Sequence, residues 1–193
     1  MKETTLEKLL ESKKSVEQMI NFFEENYQKE SKELELIEKE IKENKSFPER
    51  SNVLEELRKK NGTLVDFVVY EKDTNKALKY CNNEPLDVSN EGMGSSVKVG
   101  HMFFPLCGND CIKEIIDSKT GEILFKNDYY NKSYHLQRAQ TFGYAEALDG
   151  IKHDKFSSFA FRNVMISDAT KRHKSIEDKI KSLESDNAPK AQC

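Results

Sequence analysis

The sequence predicts an α+β fold: a long N-terminal coiled-coil-like helix, a central antiparallel sheet built on two hairpins, and C-terminal helices. Three observations carry this. Apolar residues recur at steps of three and four through the first forty-one positions, β-branched and aromatic residues crowd two segments flanked by turn residues, and the helical period returns after Asp128. The 193 residues are 36% apolar and 34% charged, with a mean hydropathy of -0.78. That balance fits one modest core with extended helix, and excludes a membrane span, which needs ~20 consecutive apolar residues.

The first helix is read from a seam. Leu6, Leu9, Lys13, Val16, Ile20, Phe23, Tyr27, Glu30, Leu34, Ile37 and Ile41 alternate steps of three and four, with Lys13 and Glu30 as polar exceptions. Gly and Pro are absent until Pro48, which ends the helix because it lacks an amide donor and biases the preceding residue away from helical angles. A short helix follows, with Asn52 as its cap, Glu55 three residues on, and Gly62 past its end.

The run Thr63 to Tyr70 has the density of a strand. Lys72-Asp73-Thr74-Asn75 supplies a turn, and Ala77 to Cys81 returns, giving the first hairpin. Residues 82–96, rich in Asn, Ser, Gly and Pro, read as a long surface loop. Ser96 to Phe104 reads as one strand entering the core. The second hairpin is Ile115 to Asp117, the turn Ser118 to Gly121, and Glu122 to Phe125, for a sheet of four to five strands.

Leu136, Ala139, Phe142, Ala147 and Leu148 then mark a buried helix that stops at Gly150. Phe156, Phe159, Phe161 and Val164 read as a buried entry to the last helix, whose seam is Ile166, Ala169, His173, Ile176, Ile180 and Leu183. The expected organisation is residues 1–46 as an assembly helix, 47–62 as short helix and linker, 63–161 as globular core, 162–184 as last helix, and 185–193 as a disordered tail.

Charge is unevenly placed. The net of -3 resides in residues 1–45, where nine Lys face twelve Glu, and the remainder sums to zero. Residues 162–183 carry six basic against three acidic side chains, so the terminal helices are complementary and pair either within one chain or between chains. A dominant basic face is missing, which argues against nucleic acid as the main partner. Absent a signal segment, the expected compartment is the cytoplasm and the expected cysteine state is the thiol.

Cys107-Gly108-Asn109-Asp110-Cys111 is the most site-like string. Its two thiols suit Zn²⁺ with His101, Cys81 or His135 completing the set, but a single knuckle is half of a structural zinc site. The alternative is two small buried residues flanking a turn. Tyr129, Tyr130, Tyr134 and His135 suit base stacking or, more simply, a sheet-to-helix junction. Lys171-Arg172-His173-Lys174 reads as a solvated helix face, and His173 is paired in expectation with Glu30. Nucleotide-binding loops, HExxH and GxSxG are not found.

The expected function is therefore that of a non-enzymatic interaction protein, a regulator, inhibitor or assembly factor. It would form a homo-oligomer through the helical seams and engage a protein through its sheet or loop. No cofactor is expected, with a zinc or small-ligand site around His101, Cys107 and Cys111 as the second reading and a nucleic-acid-binding regulator as the third.

Overall fold

The computed structural model describes residues 2–70, 76–88, 96–108, 110–130 and 132–187. The expected turn at 72–75, the Gly-Ser-Asn loop at 89–95 and the tail from 188, with Cys193, lie outside them. The elements in chain order are α1 (Lys2–Glu43), α2 (Val53–Lys59), β1 (Leu64–Tyr70), β2 (Ala77–Asp87), β3 (Ser96–Val99), β4 (Met102–Pro105), β5 (Glu114–Asp117), β6 (Ile123–Lys126), α3 (Tyr134–Phe142) and α4 (Tyr144–Asn187). This is the α+β class, with a long N-terminal helix, an antiparallel sheet and C-terminal helices. The chain divides into two compact units, Met1–Leu34 with His153–Cys193, and Glu35–Lys152.

The second unit holds the sheet. Among the described residues it has six strands in the order β4-β3-β2-β1-β5-β6, every neighbouring pair antiparallel. Two expectations change here. The run Ser96 to Phe104 is two strands, because Gly100 takes φ 59° and the chain reverses at Gly100-His101, pairing Val99 with Met102. Among the described residues β3 and β4 thus form a further antiparallel pair beside the two expected ones. In addition, β2 continues through Asn82 to Asp87, where the sequence suggests loop. A bulge opposite Val65 and Phe67 absorbs Asn83, whose φ is 50°. Pro85 O accepts the Gly100 N–H at 3.1 Å, and the bond toward β1 is carried by the next residue, Leu86, whose N–H donates to Thr63 O at 2.9 Å.

The strand alternation gives the sheet one apolar face. Val65, Phe67, Leu86, Val97, Val99, Ile115 and Phe125 form a buried cluster with Leu57 of α2 and with Leu106 and Ile112 of the β4–β5 connection. The opposite face is mixed: Lys79 and Glu114 flank Val68 and Lys126 lies opposite Glu114, while Leu64, Phe103 and Ile123 are exposed on the same face. Val68 stays buried among these charges, since their aliphatic stems cover it while their heads reach water.

The helix caps are rearranged. Asn52 makes no side-chain cap on α2; the Ser51 hydroxyl accepts the Val53 N–H instead, at 3.2 Å. Gly150 does not stop a helix. It lies inside α4, 3.4 Å from the His135 ring as measured from a Cβ placed on it, and the break falls at Gly143, between α3 and α4. There the Tyr144 N–H donates to Pro48 O at 2.9 Å and the Ala145 N–H to Glu49 O at 3.2 Å, so the first amides of α4 find partners in the segment after α1. A single helix consequently runs from Tyr144 to Asn187, and the expected boundary between core and last helix at 161–162 does not exist as a break.

Gly143 has φ 103°, and a Cβ there would collide with the backbone of Glu49 and Arg50. Gly121, in the β5–β6 turn, has φ 76° but open space around it. Gly121→Ala is expected to cost about 1 kcal/mol, for its backbone angle alone. Gly143→Ala should cost at least about 3 kcal/mol, since strain and collision add. Urea denaturation of the two variants checks the difference.

Candidate functional site

The first unit is made of α1 to Leu34 and α4 from His153. They run antiparallel, as their contacts show: residue numbers rise along one helix as they fall along the other. Lys13 Nζ bonds Glu177 Oε1 at 2.8 Å, His173 Nε2 approaches Glu17 Oε1 at 3.0 Å, and the Arg162 guanidinium grips both oxygens of Glu24 at 3.0 and 2.5 Å. Ser158 donates to Glu30. The terminal helices therefore pair within the chain. The two polar exceptions of the seam both have partners, but His173 meets Glu17 and Glu177 rather than Glu30.

Between these contacts lie the seam residues. Leu6, Leu9, Val16, Ile20, Phe23, Tyr27 and Leu34 of α1, with Ile166, Ala169, Ile176, Ile180 and Leu183 of α4, are buried or half-buried; Ile37 and Ile41 are likewise covered, in the second unit. Phe23 meets Phe161 edge-on at 6.3 Å, Tyr27 meets Phe159 at 6.2 Å, and Arg162 lies over the Tyr27 ring at 5.3 Å. The seam expected to hold copies together is thus occupied by the chain's own α4.

What it leaves uncovered is the more informative feature. Phe156, Phe159, Phe161 and Val164, expected as a buried entry, are 71%, 47%, 60% and 59% exposed, and Phe22 of α1 is 61% exposed. The physical reason is angular. At about 100° per residue, the face of α4 turned to α1 carries Ser158, Arg162, Met165 and Ala169, which leaves Phe156, Ala160 and Val164 as a ridge pointing away. Phe161 joins that ridge to α1 through Phe23 and Phe22, whose rings are 5.8 Å apart. Charge is missing from the same places. Residues 18–23 have none, and residues 156–167 have one, Arg162, turned inward to Glu24. In a chain that is one-third charged, an aromatic surface without charge has the composition of an interface core.

The cysteine string is built differently from its sequence reading. His101 is exposed in the β3–β4 turn, whereas Cys107 and Cys111 are buried after β4. Among the described residues no group of three or more His, Cys, Asp or Glu side chains is close enough to hold a metal ion, so these three do not gather as one donor set. Gln137 is the residue that organises the turn, and nothing in the sequence singled it out. The Ser133 hydroxyl caps α3 by accepting the His135 N–H at 3.2 Å. Gln137 then projects from the first turn of that helix, and its Oε1 accepts from Gly108 N at 2.9 Å, Cys111 Sγ at 3.3 Å and Asn127 Nδ2 at 3.3 Å. Asn127 also donates to Leu106 O and Cys111 Sγ, each at 3.4 Å. Burial pushes the pKa of both thiols up to about 11. Both stay neutral thiols at neutral pH, and Cys111 donates to Gln137 while accepting from Asn127.

The aromatic cluster after β6 is a junction. Tyr129 packs on Phe47 at 5.1 Å, accepts a hydrogen bond from Asn44 Nδ2 at 2.8 Å, and carries Lys132 over its ring at 5.0 Å. The basic run Lys171, Arg172 and Lys174 is exposed along α4, as expected of a solvated face. Among the described residues no helix is long and apolar enough to cross a membrane.

Two pH responses follow from these contacts. The cysteine pKa values are raised in the fold, so the unfolded thiols ionise first. Stability should be full below about pH 9 and decline toward about pH 11, by on the order of 2 kcal/mol per thiol. Denaturation midpoints across that window check it, and Cys107→Ser/Cys111→Ser should remove the decline. Glu177 is the opposite case, held below the usual carboxylate range by Lys13. Its contribution is present at neutral pH and is lost on acidification through its folded pKa. Glu177→Gln should flatten the acid limb of the helical signal without changing the alkaline one.

No protein-family model matches this chain, and no curated protein or solved structure matches it either.

Proposed function

We propose that the protein is a non-enzymatic interaction protein, of the regulator, inhibitor or assembly-factor kind, in which the first unit presents a contact surface for another protein. The observation that carries this is the exposure of Phe22, Phe156, Phe161 and Val164 within stretches of two paired helices whose single charge, Arg162, is turned inward to Glu24. An exposed phenylalanine taken singly is ordinary; several on adjoining turns, with rings in edge contact and charge withdrawn around them, form a patch that water solvates poorly. The reading supports a protein partner over nucleic acid, because aromatic residues enriched where charge is depleted match protein interface cores, whereas phosphate recognition needs uncompensated Lys and Arg. The helical seam, in this reading, maintains the surface rather than serving as the contact.

The test separates contact from fold. Phe156→Ser and Val164→Ser should shift the unfolding free energy by less than about 0.5 kcal/mol, as at surface positions without structural duty, while reducing the binding of a hydrophobic dye. A loss above about 2 kcal/mol in either variant would mean that the side chain stabilises the fold, and would sink the reading.

A further inference from the structure

We infer that the occupant of this surface is a second copy of the chain, docked by a two-fold axis that lays α1 of one copy against α4 of the other. The inference rests on the interaction reading above and names its partner. Two features select it.

The first is charge. Along the two helices, residues 7–33 of α1 expose six Glu against four Lys, and residues 168–184 of α4 expose five basic against three acidic side chains. A two-fold contact of α1 with α4′ sets the acidic helix beside the basic one twice, since an isologous interface repeats every contact. Laying α1 on α1′, or α4 on α4′, sets like charges side by side. The same rim disfavours an anionic lipid surface, which calls for a basic border on both helices.

The second is area. A phenylalanine accounts for roughly 150–250 Å² when fully buried, so three rings exposed by about two-thirds, with Val164, give on the order of 400 Å² per copy. Matched with its own image, the surface buries about 800 Å² of apolar area. The Lys and Glu stems around it bring the total to about 1,000–1,200 Å², the lower limit of a specific interface. The ridge of Phe156, Ala160 and Val164, spaced by four, provides the row that packs into a facing helix groove.

The test uses the full chain in light scattering and sedimentation over a range of concentrations. The expected mass approaches twice 22.3 kDa, with association weakening as salt rises. Phe22→Glu and Val164→Lys should each weaken self-association at least tenfold with the helical signal unchanged. An equimolar mixture of the two should dimerise again, because in an α1-to-α4′ contact the carboxylate introduced at position 22 of one copy faces the ammonium introduced at position 164 of the other, while the second pair stays native. A mixture that remains monomeric overturns the arrangement. A wild-type chain that remains monomeric overturns the inference, whether or not it binds vesicles of acidic lipid; binding them would assign the surface to a membrane. The interaction reading fails separately, through the stability of Phe156→Ser and Val164→Ser measured at dilutions where the wild-type chain is monomeric, so that lost association does not enter the unfolding free energy.

Discussion

The pairing of α1 with α4 in the first unit is the contact on which the rest of that unit depends. It joins residues 128 to 164 positions apart, as in Ser158 with Glu30 and Lys13 with Glu177. Closing so long a span costs chain entropy, although that cost grows only slowly with length. Burial of Val16, Leu34, Ala169 and Ile180 offsets it. The ion pairs along the seam are partly exposed, and such pairs contribute little to stability. Their effect is on register: Lys13, Glu17 and Glu24 fix which turn of α4 faces which turn of α1, much as polar residues inside a helical seam do in general.

Once register is fixed, the apolar flank is a consequence. Two helices cover one stripe of each other, and a helix with apolar residues on more than one stripe keeps the surplus in water. In α1 the surplus includes Leu10 and Phe22, and in α4 it includes Phe156, Phe159, Phe161 and Val164. The unit thereby combines a settled interior with an unsettled exterior. Helices present such side chains at a lower ordering cost than loops would, which is the physical basis of the proposed contact surface.

The sheet unit adds a different feature, a set of polar groups enclosed in its interior. Gln137, Asn127 and Cys111 bond one another, and Gln137 also accepts the Gly108 amide. A satisfied network of this kind locks a turn that would otherwise leave buried amides and carbonyls unpaired, which is costly in a low-dielectric interior. The CGNDC string looked like chemistry because two cysteines flank a tight turn. Its structural meaning comes from Gln137, twenty-six residues further on.

The sequence alone determined the class and the long-period features. The steps of three and four made α1 legible, β-branched density marked β1 and β5, and Gly121 marked the β5–β6 turn, because each depends on residues close together in the chain. It misplaced what depends on distant partners. Gly100 and Gly143 break the chain where Gly150 does not, since a glycine ends an element only when its backbone must take positive φ or admit a neighbour, and the neighbour of Gly143 is Glu49. Tertiary structure alone decided that His173 faces Glu17, that Gln137 closes the cysteine turn, and that the phenylalanines of α4 face water. Hydrophobicity says which side chains gain from burial, but only the position of the facing helix says which of them are buried.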